Sequence, residues 1–167
     1  MILAFDTYYY DNKAKTVCLE FENWNDSTDF KIHNEIIENV AEYIPGEFYK
    51  RELPCILSLL QQIDFKNAEA IIVDGFVYLN DEKKYGLGGY LYEKLDEEIP
   101  IIGVAKTNFA SIEKNKKSLL RGDSQKPLYI TAIGINLEEA FDKVSSMAGE
   151  FRMPILLKEL DRLTKEL

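Results

Sequence analysis

Apolar, β-branched and aromatic side chains dominate residues 2–10, the cluster Asp11-Asn12-Lys13 interrupts them, and a second β-prone run follows over 14–24. Two such runs flanking a polar turn predict a β-hairpin. After the polar stretch 25–29, Phe30-Lys31-Ile32 resumes a period of two, so a third antiparallel strand is expected before the chain turns at Tyr43-Ile44-Pro45-Gly46. From Arg51 the period changes. Leu53, Ile56, Leu57, Leu60 and Ile63 recur at helical spacing, and Pro54 is tolerated only near a helix start, which puts the first helix here.

Ala70-Ile71-Ile72-Val73 is a short unbroken apolar run ending in Asp74-Gly75, the form of a buried parallel strand whose carboxyl end faces a crevice. A helix is expected through 88–95, and a second buried strand over 99–105 ends at Lys106. The pattern weakens over 106–126, returns as a strand over 128–135 and becomes helical over 137–147. Asn136 suits the N-cap of that helix, Glu138 and Glu139 suit its positive end, and Gly149 is expected to terminate it. Leucines at 156, 157, 160, 163 and 167 make 154–167 an amphipathic helix lying on the domain surface. Antiparallel strands first and strand-helix units afterwards predict an α/β fold, a mixed sheet with helices on both faces.

A chain of 167 residues with 46% apolar and 29% charged side chains is expected to form one domain, 1–167, around one core. There is no run of about 18 apolar residues and no basic leader, so no membrane partner and a cytoplasmic location are expected. Cys18 and Cys55 lack any CxxC spacing and read as buried thiols, not as a disulfide or a zinc site. The net charge of −9 opposes bulk attraction to nucleic acid. Only residues 106–126 run against it, where Lys106, Lys114, Lys116, Lys117, Arg121 and Lys126 outweigh Glu113 and Asp123 for a local balance of +4.

Within this layout Asp6 lies in the first strand, Glu52 opens the first helix and Asp74 ends a central strand. Convergence at one crevice would supply the hard oxygen ligands that Mg²⁺ takes, and a pair of such ions activates water and stabilises the leaving oxygen at a phosphodiester. Lys106 would offset charge developing on the phosphate. Taken singly, each carboxylate equally fits a cap or a solvated surface group.

The blocks Asp6-Thr7-Tyr8-Tyr9, Tyr43-Ile44-Pro45-Gly46 followed by Arg51-Glu52-Leu53-Pro54, Ile72-Val73-Asp74-Gly75 and Ile102-Gly103-Val104-Ala105-Lys106 occur in the order and rough spacing of the endonuclease V family. The chain resembles a short, divergent member. The resemblance spans about residues 1–106, with a fainter echo over 127–140. It implies a ribonuclease H-like fold and metal-dependent cleavage of DNA or RNA at the second phosphodiester 3′ to inosine, a deaminated adenine. It further implies that Asp6, Glu52 and Asp74 are metal-binding carboxylates, with Mg²⁺ as cofactor and Mn²⁺ as the alternative, and that Lys106 contacts the phosphate. Tyr43, Ile44 and Pro45 match the family's wedge, which fills the gap left when a base leaves the stack. Gly46, Gly75 and Gly103 match positions where bare backbone approaches that base. Each also fits a plain turn or strand-end role.

The chain departs from the family at two histidines. Asn80 stands where the family places a histidine a few residues after its Asp-Gly pair, and no Gly-His pair precedes the late helix. The lone His33, in the third strand, reads as a satisfied or surface imidazole. Glu138, Glu139 and Asp142 are candidates for a fourth ligand, and also fit a solvated helix face. The family's N-terminal extension and the segment after Lys106 are short here. Two functions stay open: a metal-dependent endonuclease acting on inosine-containing nucleic acid as a monomer, and a homologue that binds damaged or structured nucleic acid without cutting it. A small-molecule role for Gly86-Leu87-Gly88-Gly89 lacks the spacing of a phosphate loop.

Overall fold

In the computed structural model of the protein, which describes residues 1–40, 42, 44, 45, 47 and 49–166, the hairpin forms between β1 (Ile2–Tyr10) and β2 (Lys13–Phe21). Asp11 and Asn12 close it at φ of 45° and 61°. Their short polar side chains tolerate the left-handed backbone that a two-residue turn requires, and that turn matches the twist of the strands it joins. β3 (Lys31–Glu38) adds antiparallel to β2, the third strand expected before the turn at 43–46, and it continues well past the Phe30-Lys31-Ile32 stretch that announced it. As an edge strand it tolerates polar and half-exposed positions, which hid the period-two signal.

The chain continues through α1 (Tyr49–Leu60), β4 (Ala70–Asp74), α2 (Leu87–Lys94), β5 (Ile101–Ala105), β6 (Lys117–Leu119), β7 (Leu128–Ile133), α3 (Leu137–Ser145) and α4 (Ile155–Lys165). The strands form one sheet in the order β3-β2-β1-β4-β5-β7-β6. β1, β4 and β5 run parallel, as helical crossovers demand. β7 returns antiparallel to β5 because no helix intervenes between them, and the three-residue β6, too short to show a period, pairs on its far side. α1 starts two residues before Arg51, so Pro54 falls inside it; the Lys50 carbonyl that loses its helical donor there belongs to an exposed residue.

Alternation along the strands divides the core. Leu3, Phe5, Ile71, Val73 and Ile101 face α1 and α2, while Ile2, Ala4, Val17, Ile72 and Val104 face α3 and α4. Asn136 caps α3 as expected, its side chain accepting from the Glu138 N–H at 2.9 Å. Cys18 and Cys55 are buried free thiols. Among the described residues no helix is long and apolar enough to cross a membrane.

Candidate active site

The register of the parallel strands sets the site. Phe5 of β1 lies opposite Val73 of β4, so the next residues, Asp6 and Asp74, stand at neighbouring positions on adjacent strands. Both continue the set of residues directed toward α4. Asp74 in turn lies opposite Val104 of β5, two residues before Lys106. α4 packs across β1 and β2, and Asp161 on its inner side completes a crevice lined by Asp6, Asp74, Lys106 and Asp161 over an apolar floor that includes Met153 and Leu157. Glu52, buried in the first turns of α1, approaches from the opposite face of the sheet. It lines an adjoining cleft with Asp74, Gly75, Phe76, Lys106 and Asn108. Asp74 and Lys106 thus belong to both openings.

Charge is only partly compensated here. Lys106 Nζ is 3.8 Å from one oxygen of Asp161, and Lys165 Nζ is 3.2 Å from the other. Asp6 Oδ1 accepts the Thr7 N–H at 2.9 Å. Burial, then the Asp74 charge, push the Asp6 carboxyl up to about 7, with Asp161 adding to the effect and Lys106 opposing it. Glu52 is held well above the usual carboxylate range by burial and by Asp74 and Asp6. Asp74 is raised as well, by burial of its carboxyl and by Asp161, against Lys106. Although the residue is exposed overall, its neighbours on two strands and α4 crowd the carboxyl end.

Carboxylates that repel one another, supplied only by hard oxygen donors, have the chemistry that suits a divalent cation of the Mg²⁺ class. Among the described residues no three His, Cys, Asp or Glu side chains stand close enough as placed to enclose an ion. Asp6, Asp74 and Asp161 meet from one face, and Glu52 from the other.

The remaining expectations separate. Ile44 and Pro45 are exposed, just ahead of α1, with the Ile44 carbonyl accepting the Glu47 N–H at 2.9 Å. Tyr43 and Gly46 lie outside the described residues. Gly75 lines the second cleft at φ 130°, a conformation that favours glycine. Gly103 is buried inside β5, where a Cβ would come within 2.5 Å of the Gly75 carbonyl oxygen and of Thr131 Oγ1; its glycine makes room for the chain leaving β4. Asn80 ties a turn, its Oδ1 accepting the Lys84 N–H at 3.0 Å. Glu138, Glu139 and Asp142 are exposed on α3, which packs on β6 and β7, and Glu138 pairs with Lys117. The carboxylate that joins the crevice is instead Asp161, which the sequence presented only as part of the polar stripe of an amphipathic helix.

The basic stretch is not one patch either. Arg121 is buried and donates to the carbonyls of Met147 and Phe151 at 2.6 and 2.7 Å. Asp81 Oδ1 accepts the N–H groups of Glu113, Lys114 and Asn115 at 3.0, 2.8 and 3.3 Å, which anchors the loop that carries the lysines.

A carboxylate-lined crevice at the carboxyl ends of the parallel strands, in a mixed sheet covered on both faces, defines an α/β protein of the ribonuclease H-like class. The family model for endonuclease V matches residues 1–162. The chain therefore belongs to the endonuclease V family, a family of nucleases. Among solved structures it is similar to endonuclease V from Ciona intestinalis in complex with a 24mer DNA containing an inosine followed by a ribo-adenosine. That match has 17% identity and a TM-score of 0.82, over 99% of this chain and 84% of the other. It is also similar to endonuclease V from Streptomyces avermitilis, at 19% identity and TM-score 0.74 over 98% and 79%. Human ENDOV gives 22% identity and TM-score 0.73 over 99% and 82%. At these identities the likenesses establish the fold. No curated protein sequence matches the chain.

Proposed function

We propose that the protein is a divalent-metal-dependent endonuclease, one domain over 1–167, that hydrolyses a phosphodiester 3′ to inosine in DNA or RNA. The observation that carries this reading is the meeting of Asp6, Asp74, Asp161 and Lys106 at one crevice, with Glu52 reaching Asp74 from behind, in a chain of this family. Asp6, Glu52, Asp74 and Asp161 would hold the ion, Mg²⁺ or Mn²⁺. When bound, it supplies Lewis-acid polarisation of the phosphoryl oxygens and a more acidic water.

The side chains do the rest. Lys106, whose side chain is 40% exposed, can turn its ammonium from Asp161 toward a phosphate oxygen and offset the charge that builds there as the phosphodiester breaks. Without the ion, burial and the neighbouring carboxylates raise the Glu52 and Asp6 carboxyls above the usual range, so binding the ion and releasing any proton they carry are coupled. Ile44 and Pro45, exposed at the entry to α1, sit on the segment that leads directly into the helix carrying Glu52. They would fill the space vacated by the extruded base, offsetting an unstacking cost of a few kcal/mol. Gly75 lets the backbone at the cleft approach that base.

A second reading, a homologue that binds such nucleic acid without cutting it, draws on Asn80, which ties a turn where the family resemblance expects a histidine. Labelled single-stranded DNA and RNA oligonucleotides, with and without one inosine, decide between the two in Mg²⁺, Mn²⁺ or EDTA. A metal-dependent cut beyond inosine that Asp74→Ala abolishes supports the endonuclease. Salt-sensitive binding with no product from a folded protein supports the second reading.

A further inference from the structure

The open edge of the sheet carries features that the crevice does not use. Among the described residues, β3 has β2 on one side and no strand on the other. Because Asp11-Asn12 is a two-residue turn, Tyr10 and Lys13 exchange both backbone hydrogen bonds, and the alternation that follows directs odd-numbered residues of β2 to β1 and even-numbered ones to β3. The register Cys18↔His33 and Thr16↔Glu35 then turns the odd residues of β3 inward. It leaves the N–H and C=O groups of Ile32, Asn34 and Ile36 pointing out from the edge.

The two faces of this strand are each incomplete. On the α4 side, Ile32 and Ile36 are 47% and 51% exposed. On the α1 side, two buried polar atoms have no hydrogen bond. His33 Nε2 lies 3.8 Å from Glu20 Oε1, too far to bond, and Glu35 Oε2 is unpaired although its Oε1 accepts from Gln62 Nε2 at 2.9 Å.

We propose that this edge pairs antiparallel with the same edge of a second copy, about a two-fold axis through Asn34, making one continuous sheet across a homodimer. In that register Asn34 faces its own counterpart and Ile32 faces Ile36 of the second copy, twice by symmetry, so the outward backbone groups bond one another and the exposed isoleucines cover each other. His33 faces Glu35 of the second copy. That pair is of the non-hydrogen-bonded kind, with Cα atoms only about 4.5 Å apart, so a turn of the two side chains away from their own chain would set imidazole beside carboxylate across the seam. Moving the axis to Glu35 sets like charges opposite each other, and moving it to His33 sets each Ile32 against an Asn34. A long edge with apolar side chains is a template for such pairing. β3 runs in the direction of β1, so the two-fold sends the two crevices to opposite ends of the joined sheet, and each stays open. This pairing would make a dimer of a chain expected from sequence to act as a monomer.

Sedimentation equilibrium of the full chain over about 1–200 µM tests this, because a single strand pair falls among small, weak interfaces. The wild-type chain should pass from monomer to dimer across that range. His33→Glu and Glu35→His should each weaken association at least ten-fold, and the double exchange should restore it. Asn34→Pro removes an N–H that β2 does not use, so its melting temperature should stay close to wild type while the dimer is lost. A wild-type chain that stays monomeric throughout overturns the proposal and leaves the edge to another protein's strand. A folded Asn34→Pro chain that associates like wild type overturns it too.

Discussion

At the level of single residues, the raised pKa of Asp6 makes a prediction about stability in the absence of metal. Its carboxyl titrates near 7 in the folded chain against an ordinary value of 3.8. Between those values the folded chain holds a proton that the unfolded chain has released, so stability is present below the unfolded value and falls as pH rises toward 7. The loss is on the order of a few kcal/mol, and Glu52 acts in the same direction. Melting in EDTA should therefore move to lower temperature from pH 5 to pH 7.5, and Asp6→Asn should flatten much of that slope; an unchanged slope would exclude Asp6 as its source. Asp161 gives the second prediction at this scale. Asp161→Asn should lower metal-dependent cleavage by at least about 100-fold with the fold retained, since it removes a ligand's worth of charge from the crevice. Glu138→Gln and Asp142→Asn on α3 should cut like wild type in the same assay. The positions of Asp74 and Lys106 were legible beforehand because each closes a strand-like run, and that of Asp6 because a carboxylate interrupts an otherwise apolar and aromatic one. Asp161 was not: in the polar stripe of an amphipathic helix an acidic residue is ordinary, and only the path of α4 across β1 turns this one inward.

Among the elements, the hairpin, β4, β5, α3 and α4 could be read because a burial period or a cap marks each of them. The direction of β7 could not, since it depends on whether the connection from β5 contains a helix, and the polar loop over 106–127 carries no period to say so. The end of β3 carried no mark in the sequence, because edge exposure blurs alternation. The segment 147–153, which looked like a plain helix exit, proves to be held by Arg121. That guanidinium bonds the carbonyls of Met147 and Phe151, while Arg152 reaches the carbonyls of Lys106 and Pro127. Arg121→Ala should cost about 2–4 kcal/mol in urea unfolding, because the carbonyls lose a charged donor inside the protein. Arg121→Lys should recover little of it, since an ammonium cannot span two carbonyls as a planar fork does. A Lys variant as stable as wild type would reduce the bridge to simple charge.

For the molecule as a whole, the proposed function raises the question of how a chain of net charge −9 would hold a polyanion. Dispersed basic residues do not answer it, because Arg121 serves the interior and Lys106, Lys117 and Lys143 each face a carboxylate. The crevice repels a phosphate while Asp6, Glu52, Asp74 and Asp161 carry charge, and a divalent cation held among them would offset two of those charges and loosen the hold of Asp161 on Lys106. Screening over a Debye length of about 8 Å at physiological salt leaves this short-range term as the dominant one. Nucleic-acid affinity should therefore depend on the metal even without cleavage. In Ca²⁺, which takes the same oxygen ligands, an inosine-containing single strand should bind at least ten-fold more tightly than in EDTA at matched ionic strength. Asp74→Asn should lose most of that gain, because one ligand and one of the charges raising Asp6 are removed together. Fluorescence anisotropy with a labelled oligonucleotide measures it directly. Equal affinity in Ca²⁺ and EDTA would place the phosphate contacts elsewhere on the surface and separate binding from the carboxylate crevice.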